Sequence, residues 1–293
     1  MVKYVKISGG EGMKTGLVLE GGGVRGIYTA GVLDLLFDNQ ITFDGVAGTS
    51  AGAVHGCSFL SGQRGRSIRY YLNYCKDPRF MSIRSWIKTG NVVETEFSYH
   101  TLPEVLDPYD FEAFKQNPTP FFAVCTSLES GKAEYIRITD MKEQIDAIRA
   151  SASLPYFSKI VEIDGKKYLD GGCSEAIPLF GFMKMGFEKN LVVLTRPESY
   201  VKKPEFKGLE KLIYRKYPDF VSAMQKRHEV YNQTVKQIAE LEKQGKIFVI
   251  RPENPLPAGR MEHDPEKIKA TYDLGVKDAE KALESLKAWL SQE

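Results

Sequence analysis

Histidine, paired cysteines, long apolar runs and any excess of one charge are all scarce in this 293-residue chain. Its four cysteines, Cys57, Cys75, Cys125 and Cys173, stand far apart with no C-x-x-C pair. Neither a zinc site nor a disulfide framework is indicated, and reduced thiols are expected. A formal net charge of +2, with Lys and Glu mixed along the chain, gives no electrostatic reason to expect nucleic acid as a partner. The opening MVKYVKISGGEGMK lacks the continuous apolar centre of a secretory leader. Residues 45–63, GVAGTSAGAVHGCSFLSGQ, run uncharged for the length of a membrane span. Five glycines and three serines make that stretch too polar for hydrocarbon, so it is not read as a transmembrane helix. The expected location is cytoplasmic, with peripheral membrane contact left open.

At 42% apolar and 27% charged residues, the chain can bury a core of one large domain or two small ones. Short apolar runs alternate with amphipathic segments. Thr15 to Leu19 and Val46 to Ser50 read as buried strands, each followed by a helix, over 27–39 and 51–60. Phe121 to Thr126 and Asn190 to Thr195 read as further strands. This alternation predicts an α/β fold, three layers of α/β/α with a mostly parallel central sheet. A hairpin is expected over 160–169, turning at Asp164-Gly165, the pair favoured in type I′ turns.

The organisation changes near residue 198. A Lys-, Glu- and Pro-rich stretch precedes a long polar helix over 219–244, a strand at 247–250 and a C-terminal helix opened by Asp264-Pro265 and running through Leu290. The expected division is a catalytic domain over 15–196 and a mainly helical extension over 197–293 packed on it. Within the latter, FKGLEKLIYRKY (206–217) reads as a helix packing its apolar side on the domain, with contact to a membrane surface as the alternative.

Gly48-Thr49-Ser50-Ala51-Gly52 matches G-x-S-x-G at a strand-to-helix junction, the context of a nucleophile elbow. A sharp turn projects Ser50 above the sheet, and only small neighbours fit around the strained backbone. A second cluster, Gly21-Gly22-Gly23-Val24-Arg25-Gly26, follows the first strand and opens a helix. It matches the dinucleotide fingerprint G-x-G-x-x-G, and Asp44 lies near the spacing of a ribose-binding acid. However, that acid should end the second strand, whereas Asp44 precedes it. Amides of the same loop are instead suited to stabilising an oxyanion formed at Ser50. A serine nucleophile needs a base, and only His55, His100, His228 and His263 are present, none in a recognisable motif. A triad through His228 or His263 is the lesser reading. Asp170-Gly171-Gly172 places a carboxylate at a flexible turn closing the hairpin, from which it would reach a site between the two glycine loops.

Taken together, Gly21 to Gly26, Gly48 to Gly52, Asp170 to Gly172, the small-residue segment Arg149 to Phe157 and Pro178 resemble the patatin-like phospholipase family over roughly residues 15–196. The resemblance implies an α/β/α acyl hydrolase with Ser50 as nucleophile, Asp170 as proton acceptor, the amides of Gly22 and Gly23 as oxyanion donors, and neither metal nor cofactor. Arg25 matches the family's loop arginine, holding the loop or adding positive potential. Cys173-Ser174-Glu175 departs from the expected Val- and Asn-rich sequence, which puts substrate-side contacts in question. Tyr156 and Phe157 are candidates for lining an acyl pocket, against the alternative of plain core. The implied substrate is a lipid or other acyl ester. The competing classes are a catalytically silent lipid-binding or scaffold protein and a dinucleotide-binding protein using the first loop.

Overall fold

The computed structural model describes residues 13–205 and 208–292. Residues 1–12 of the leader reading, and Phe206 and Lys207 of the 206–217 segment, lie outside them. In chain order, β1 (Lys14–Leu19) passes through a 3₁₀ turn (Gly23–Gly26) into α1 (Ile27–Asp38), and β2 (Gly45–Thr49) leads into α2 (Ala51–Leu60). Then come α3 (Arg66–Tyr74), α4 (Ile83–Thr89), a π-helical segment (Phe97–Leu106) and α5 (Phe111–Gln116). β3 (Phe121–Ser127) pairs with β4 (Ala133–Ile138), and α6 (Ile145–Ser151) precedes the hairpin of β5 (Val161–Ile163) and β6 (Lys166–Asp170). A 3₁₀ turn (Gly171–Cys173), α7 (Leu179–Lys184) and β7 (Phe187–Val193) follow. The remainder consists of α8 (Leu209–Ile213), α9 (Pro218–Lys243), β8 (Ile247–Ile250) and α10 (Pro265–Leu290).

One mixed sheet has the order β5-β6-β3-β2-β1-β7-β8, with β4 also paired to β3. The pairs β2–β3, β1–β2, β1–β7 and β7–β8 are parallel, and those joining β3, β4, β5 and β6 are antiparallel. Alternate side chains of the strands point to opposite faces. Leu17, Leu19, Val46, Leu191 and Val193 pack under α1, α2 and α10, whereas Val18, Ala47, Phe122 and Val192 pack under α7 and α9. The three layers follow from that alternation. β8 lies beyond residue 196 yet forms an edge of the central sheet, so the later part of the chain is built into the same framework.

Local signals account for several of these elements. Asp164 (φ 51°) and Gly165 (φ 75°) both adopt the left-handed conformation that a type I′ turn requires. Asp264 caps α10 by accepting from Glu266 N at 2.9 Å, with Pro265 in the first turn. The segment after residue 206 differs from the reading that its apolar side packs inward. Leu209, Leu212 and Ile213 of α8 are exposed, Leu212 to 69%, while Tyr214 is buried. The helix is too short to carry a full apolar stripe, and what it buries is Glu210, which accepts from Gln225 Nε2 at 2.9 Å, and the Tyr214 ring at its end. Among the described residues, no helix is long and apolar enough to cross a membrane.

α1 and α10 cross through two glycines. A methyl group at Gly275 would strike the carbonyl of Tyr28, and one at Gly31 would strike the carbonyl of Tyr272. Helix propensity alone makes Gly275→Ala stabilising by up to ~1 kcal/mol. The close crossing reverses that sign. Gly275→Ala is expected to lower stability by about 1–3 kcal/mol in urea unfolding, as overpacked cores do. An unchanged or raised midpoint would show that the helices do not meet this closely.

Candidate active site

One edge of β3 sets the geometry. β2 runs beside it in parallel and stops with Thr49 opposite Val124. β6 runs beside it antiparallel and stops with Asp170 opposite Cys125. Both occupy the same edge, because β4 pairs along the other from Phe121 to Thr126. Two strands therefore meet head to head at consecutive residues of a third. Ser50, the residue after β2, faces Asp170, the last of β6, and Ser50 Oγ donates to Asp170 Oδ2 at 2.7 Å. Both side chains are buried.

The turn at Ser50 is strained. Its φ of 55° and ψ of −121° lie where non-glycine residues are rare, a conformation costing about 1–3 kcal/mol. Close packing holds it there. A methyl at Gly48 would press on the backbone of Gly52 and Ala53, and one at Gly52 would meet the carbonyl of Leu19. Ser50 N donates to Ser151 Oγ at 2.9 Å, and Ser151 Oγ donates to Val124 O at 2.6 Å, so α6 ties the elbow to β3. The sequence reading included Ser151 in a small-residue segment but assigned it no contact. Thr49 Oγ1 donates to Glu175 O at 3.0 Å. Asp170 is fixed as firmly: its amide donates to Ser153 O at 2.8 Å, and its Oδ1 accepts from Gly172 N at 2.7 Å, leaving Oδ2 to Ser50. Gly171 lies against the Val124 carbonyl, where no side chain fits.

The first glycine loop lies beside this pair, with Gly21 packed on Thr49 and Ser50. Gly21 N donates to Ala176 O and Val24 N to Arg260 O, both at 3.0 Å. Between them, the amides of Gly22 and Gly23 have no acceptor among the described residues. Gly23 has φ 59°, and a methyl there would lie 2.5 Å from the Arg260 carbonyl. Gly26 packs against Ala51 and His55 where the loop enters α1. Burial and the neighbouring Arg196 push the Arg25 guanidinium down to about 10. Glu20, at the loop's entrance, is buried and pushed up by desolvation, although it accepts from Thr195 N, Thr195 Oγ1 and Tyr231 OH. Asp44 is at the other end of the sheet, where its carboxylate accepts from Thr15 N at 2.9 Å. β1 separates it from the glycine loop, which begins beyond Leu19.

Two cavities share Ser50, Gly23 and Arg260. One, of about 140 Å³, is apolar, with Val54, Leu102, Met141, Ile148 and Leu154 among its walls. The other, of about 470 Å³, is polar and includes Gly22, Asp170, Arg25 and several cations from beyond residue 195. Tyr156 and Phe157, expected in an acyl pocket, line neither. Tyr156 (φ 70°) turns the chain, and its ring packs near Tyr214, while Phe157 packs near Trp86. Cys173 is buried in the Leu128, Leu169 and Phe220 cluster rather than in a cavity wall.

None of the four histidines lines either cavity at Ser50. His55 is buried with Nδ1 3.0 Å from Ser67 Oγ, and burial pushes it down to about 3, so it is neutral near pH 7. His263 Nδ1 is 2.8 Å from Cys75 O, His100 lies beside Glu104 and His228 beside Glu229. Among the described residues, no three His, Cys, Asp or Glu side chains converge as metal ligands.

Comparison with known proteins matches residues 17–183 to the patatin-like phospholipase model and residues 217–291 to a domain of unknown function. An uncharacterized Escherichia coli protein, YjjU, is 29% identical over 265 residues, covering 88% of this chain and 74% of that protein. An uncharacterized NTE family protein of Mycobacterium bovis, Mb1092c, is 26% identical over 176 residues, 60% of this chain. The chain spans 47% of the length of that relative. The crystal structure of VipD from Legionella pneumophila aligns over 93% of this chain and 67% of its own, with a TM-score of 0.45 and 11% identity. The family match takes in both glycine turns, the Ser50 elbow and the Asp170 turn across more than half of the chain: the protein belongs to the patatin-like phospholipase family, which suggests lipid acyl hydrolase activity.

Proposed function

We propose that the protein hydrolyses carboxylic acyl esters of lipids, with Ser50 as nucleophile and Asp170 as its base. The observation that carries this reading is the 2.7 Å hydrogen bond between them at a strained elbow, beside two amides that have no acceptor among the described residues. Asp170 Oδ2 takes the hydroxyl proton as Ser50 Oγ attacks the ester carbonyl. The negative charge then forming on the carbonyl oxygen is stabilised by the amides of Gly22 and Gly23. As the tetrahedral centre collapses, Asp170 returns the proton to the departing alcohol and leaves an acyl-Ser50. Water attacks that ester in the second half, with Asp170 accepting its proton and the same amides holding the oxyanion. Collapse releases the fatty acid and restores the Ser50 hydroxyl. The apolar cavity would take the acyl chain, and the polar one the alcohol portion.

Delivery of such a substrate suits a surface contact with lipid. Ile83, Trp86 and Ile87 of α4 are exposed, as are Leu209, Leu212 and Ile213 of α8. Exposed Arg84, Lys88, Lys211, Arg215 and Lys216 lie among them in sequence. Both helices are tied to Tyr156: its carbonyl accepts from Trp86 Nε1 at 3.0 Å, and its amide donates to Tyr214 OH at 2.8 Å. Apolar side chains with interspersed cations fit the interface of an anionic bilayer.

A fluorophosphonate ester probe is expected to modify Ser50, as mapped by peptide mass spectrometry, and to leave Ser50→Ala unmodified. Asp170→Asn should fold normally yet lose most ester turnover, whereas His228→Ala and His263→Ala should retain it. Loss in a folded histidine variant with retention in Asp170→Asn would reverse the assignment of the base.

Gly23→Ala tests the loop, since it adds strain at a left-handed φ and pushes on the Arg260 carbonyl. Turnover of a short-chain ester should fall roughly a hundredfold to a thousandfold. Saturable dinucleotide binding lost in that variant, with turnover unchanged, would instead make the loop a nucleotide site.

Co-sedimentation with vesicles containing phosphatidylserine should fall markedly in Ile87→Asp/Leu212→Asp. Equal sedimentation of the parent and variant would exclude this surface.

A further inference from the structure

The polar cavity holds more positive charge than its carboxylates neutralise. Arg25, Arg196, Lys202, Arg227 and Arg260 all line it, and the carboxylates facing them are already engaged. Glu20 accepts from Thr195 and Tyr231. Asp170 accepts from Ser50 and Gly172. Glu205 is shared between Arg227, at 3.3 Å, and Arg260, at 3.9 Å. Arg25, Arg196 and Lys202 have no carboxylate within ion-pair distance among the described residues.

Aromatic rings and burial position these unpaired cations without neutralising them. The Arg196 guanidinium lies 4.2 Å from the Tyr200 ring centre, and Lys202 Nζ lies 5.0 Å from that of Tyr231. Burial, together with repulsion from Arg227 and Arg260, pushes Lys202 down to about 8. Arg25 feels Arg196 and Arg260 in the same way. A multiply charged anion entering the cavity would relieve that repulsion and accept charge-assisted hydrogen bonds.

Two further observations tie the charge to the reacting centre. The cavity wall includes Ser50, Gly22 and Gly23, and the apolar cavity opens from the same serine. An ester with its carbonyl at Ser50 therefore has one arm among apolar side chains and the other among cations. Four of the five cations also lie outside the family match: Arg196 and Lys202 follow it, and Arg227 and Arg260 belong to the matched domain of unknown function. That region reaches the glycine loop directly through Arg260 O and Val24 N.

We propose that Arg196, Lys202, Arg227 and Arg260 form a head-group subsite that selects acyl esters whose alcohol portion carries a phosphomonoester. This rests on the hydrolase reading above and deepens it. A dianionic phosphate offers several acceptor oxygens to the Arg and Lys donors that line the cavity, whereas an uncharged glycerol head leaves the repulsion in place. A choline head brings its own cation into the cavity, where it meets like charge.

The test compares kcat/KM on three monoacyl substrates with the same acyl chain: monoacylglycerol 3-phosphate, monoacylglycerophosphocholine and monoacylglycerol. Each is used as dispersed monomer at physiological salt. The phosphomonoester should be preferred over the uncharged ester by about tenfold or more, the scale of hydrogen bonds to a charged group. Arg196→Gln/Lys202→Gln should bring that ratio close to one, and Arg196→Lys/Lys202→Arg should largely restore it. Glycerol 3-phosphate should inhibit competitively in the parent and far less in the Gln variant. A wild-type ratio near one, or a preference that survives the Gln pair, overturns the subsite. Inhibition by inorganic phosphate and glycerol 3-phosphate without preference for the phosphate-bearing ester also overturns it, in favour of a site for free anions. A short uncharged ester separates the two levels. If it is hydrolysed while no head-group preference exists, only the subsite fails; if no ester at all is turned over, the hydrolase reading fails and takes the subsite with it.

Discussion

The hydrogen bond between Ser50 and Asp170 depends on two strands ending against each other on one edge of β3. Thr49 and Asp170 take consecutive pairing positions, opposite Val124 and Cys125, so neither strand can lengthen by a residue without displacing the other. Small residues then become a steric requirement. Gly171 must pass over the Val124 carbonyl, Gly52 must press on Leu19, and Ser151 must be short enough to bridge Ser50 N and Val124 O. The uncharged stretch around Ser50 is a consequence of this crowding, since no long or charged side chain fits where four backbone segments converge.

The same crowding limits which side chains reach Ser50. His55 is close to Ser50 in sequence, but its helix carries it away to Ser67, into surroundings that keep the ring neutral. Asp170 comes from a strand more than a hundred residues away, yet both of its carboxylate oxygens are directed by short contacts, one to Gly172 N and one to Ser50 Oγ. Backbone contacts thereby fix the direction in which the Asp170 carboxylate points, toward the Ser50 hydroxyl.

The later part of the chain is bound into this arrangement. β8 extends the sheet beside β7, α10 lies across α1, and the Arg260 carbonyl takes the amide of Val24 in the glycine loop. The glycine loop is thereby held on both sides, by Ala176 O at one end and Arg260 O at the other. The residues that follow the family match thereby both brace the loop and line the polar cavity.

Features set by a few neighbouring residues were legible in the sequence by itself. The hairpin turn at Asp164-Gly165, the start of α10 at Asp264-Pro265, the alternation of buried strands and helices, and the elbow pattern around Ser50 all depend on backbone rules a few residues in range. The tertiary structure alone decided what meets across long separations. It set the head-to-head ending of β2 and β6, the bridging role of Ser151, the gathering of Arg196, Lys202, Arg227 and Arg260 around one cavity, and the turn that takes Tyr156 and Phe157 out of the apolar one. Individually these residues carry no signal, because an arginine on a helix or a tyrosine after a proline looks the same whether it faces solvent, core or a cavity. Only the register of the sheet and the crossing of the helices fix which of them converge.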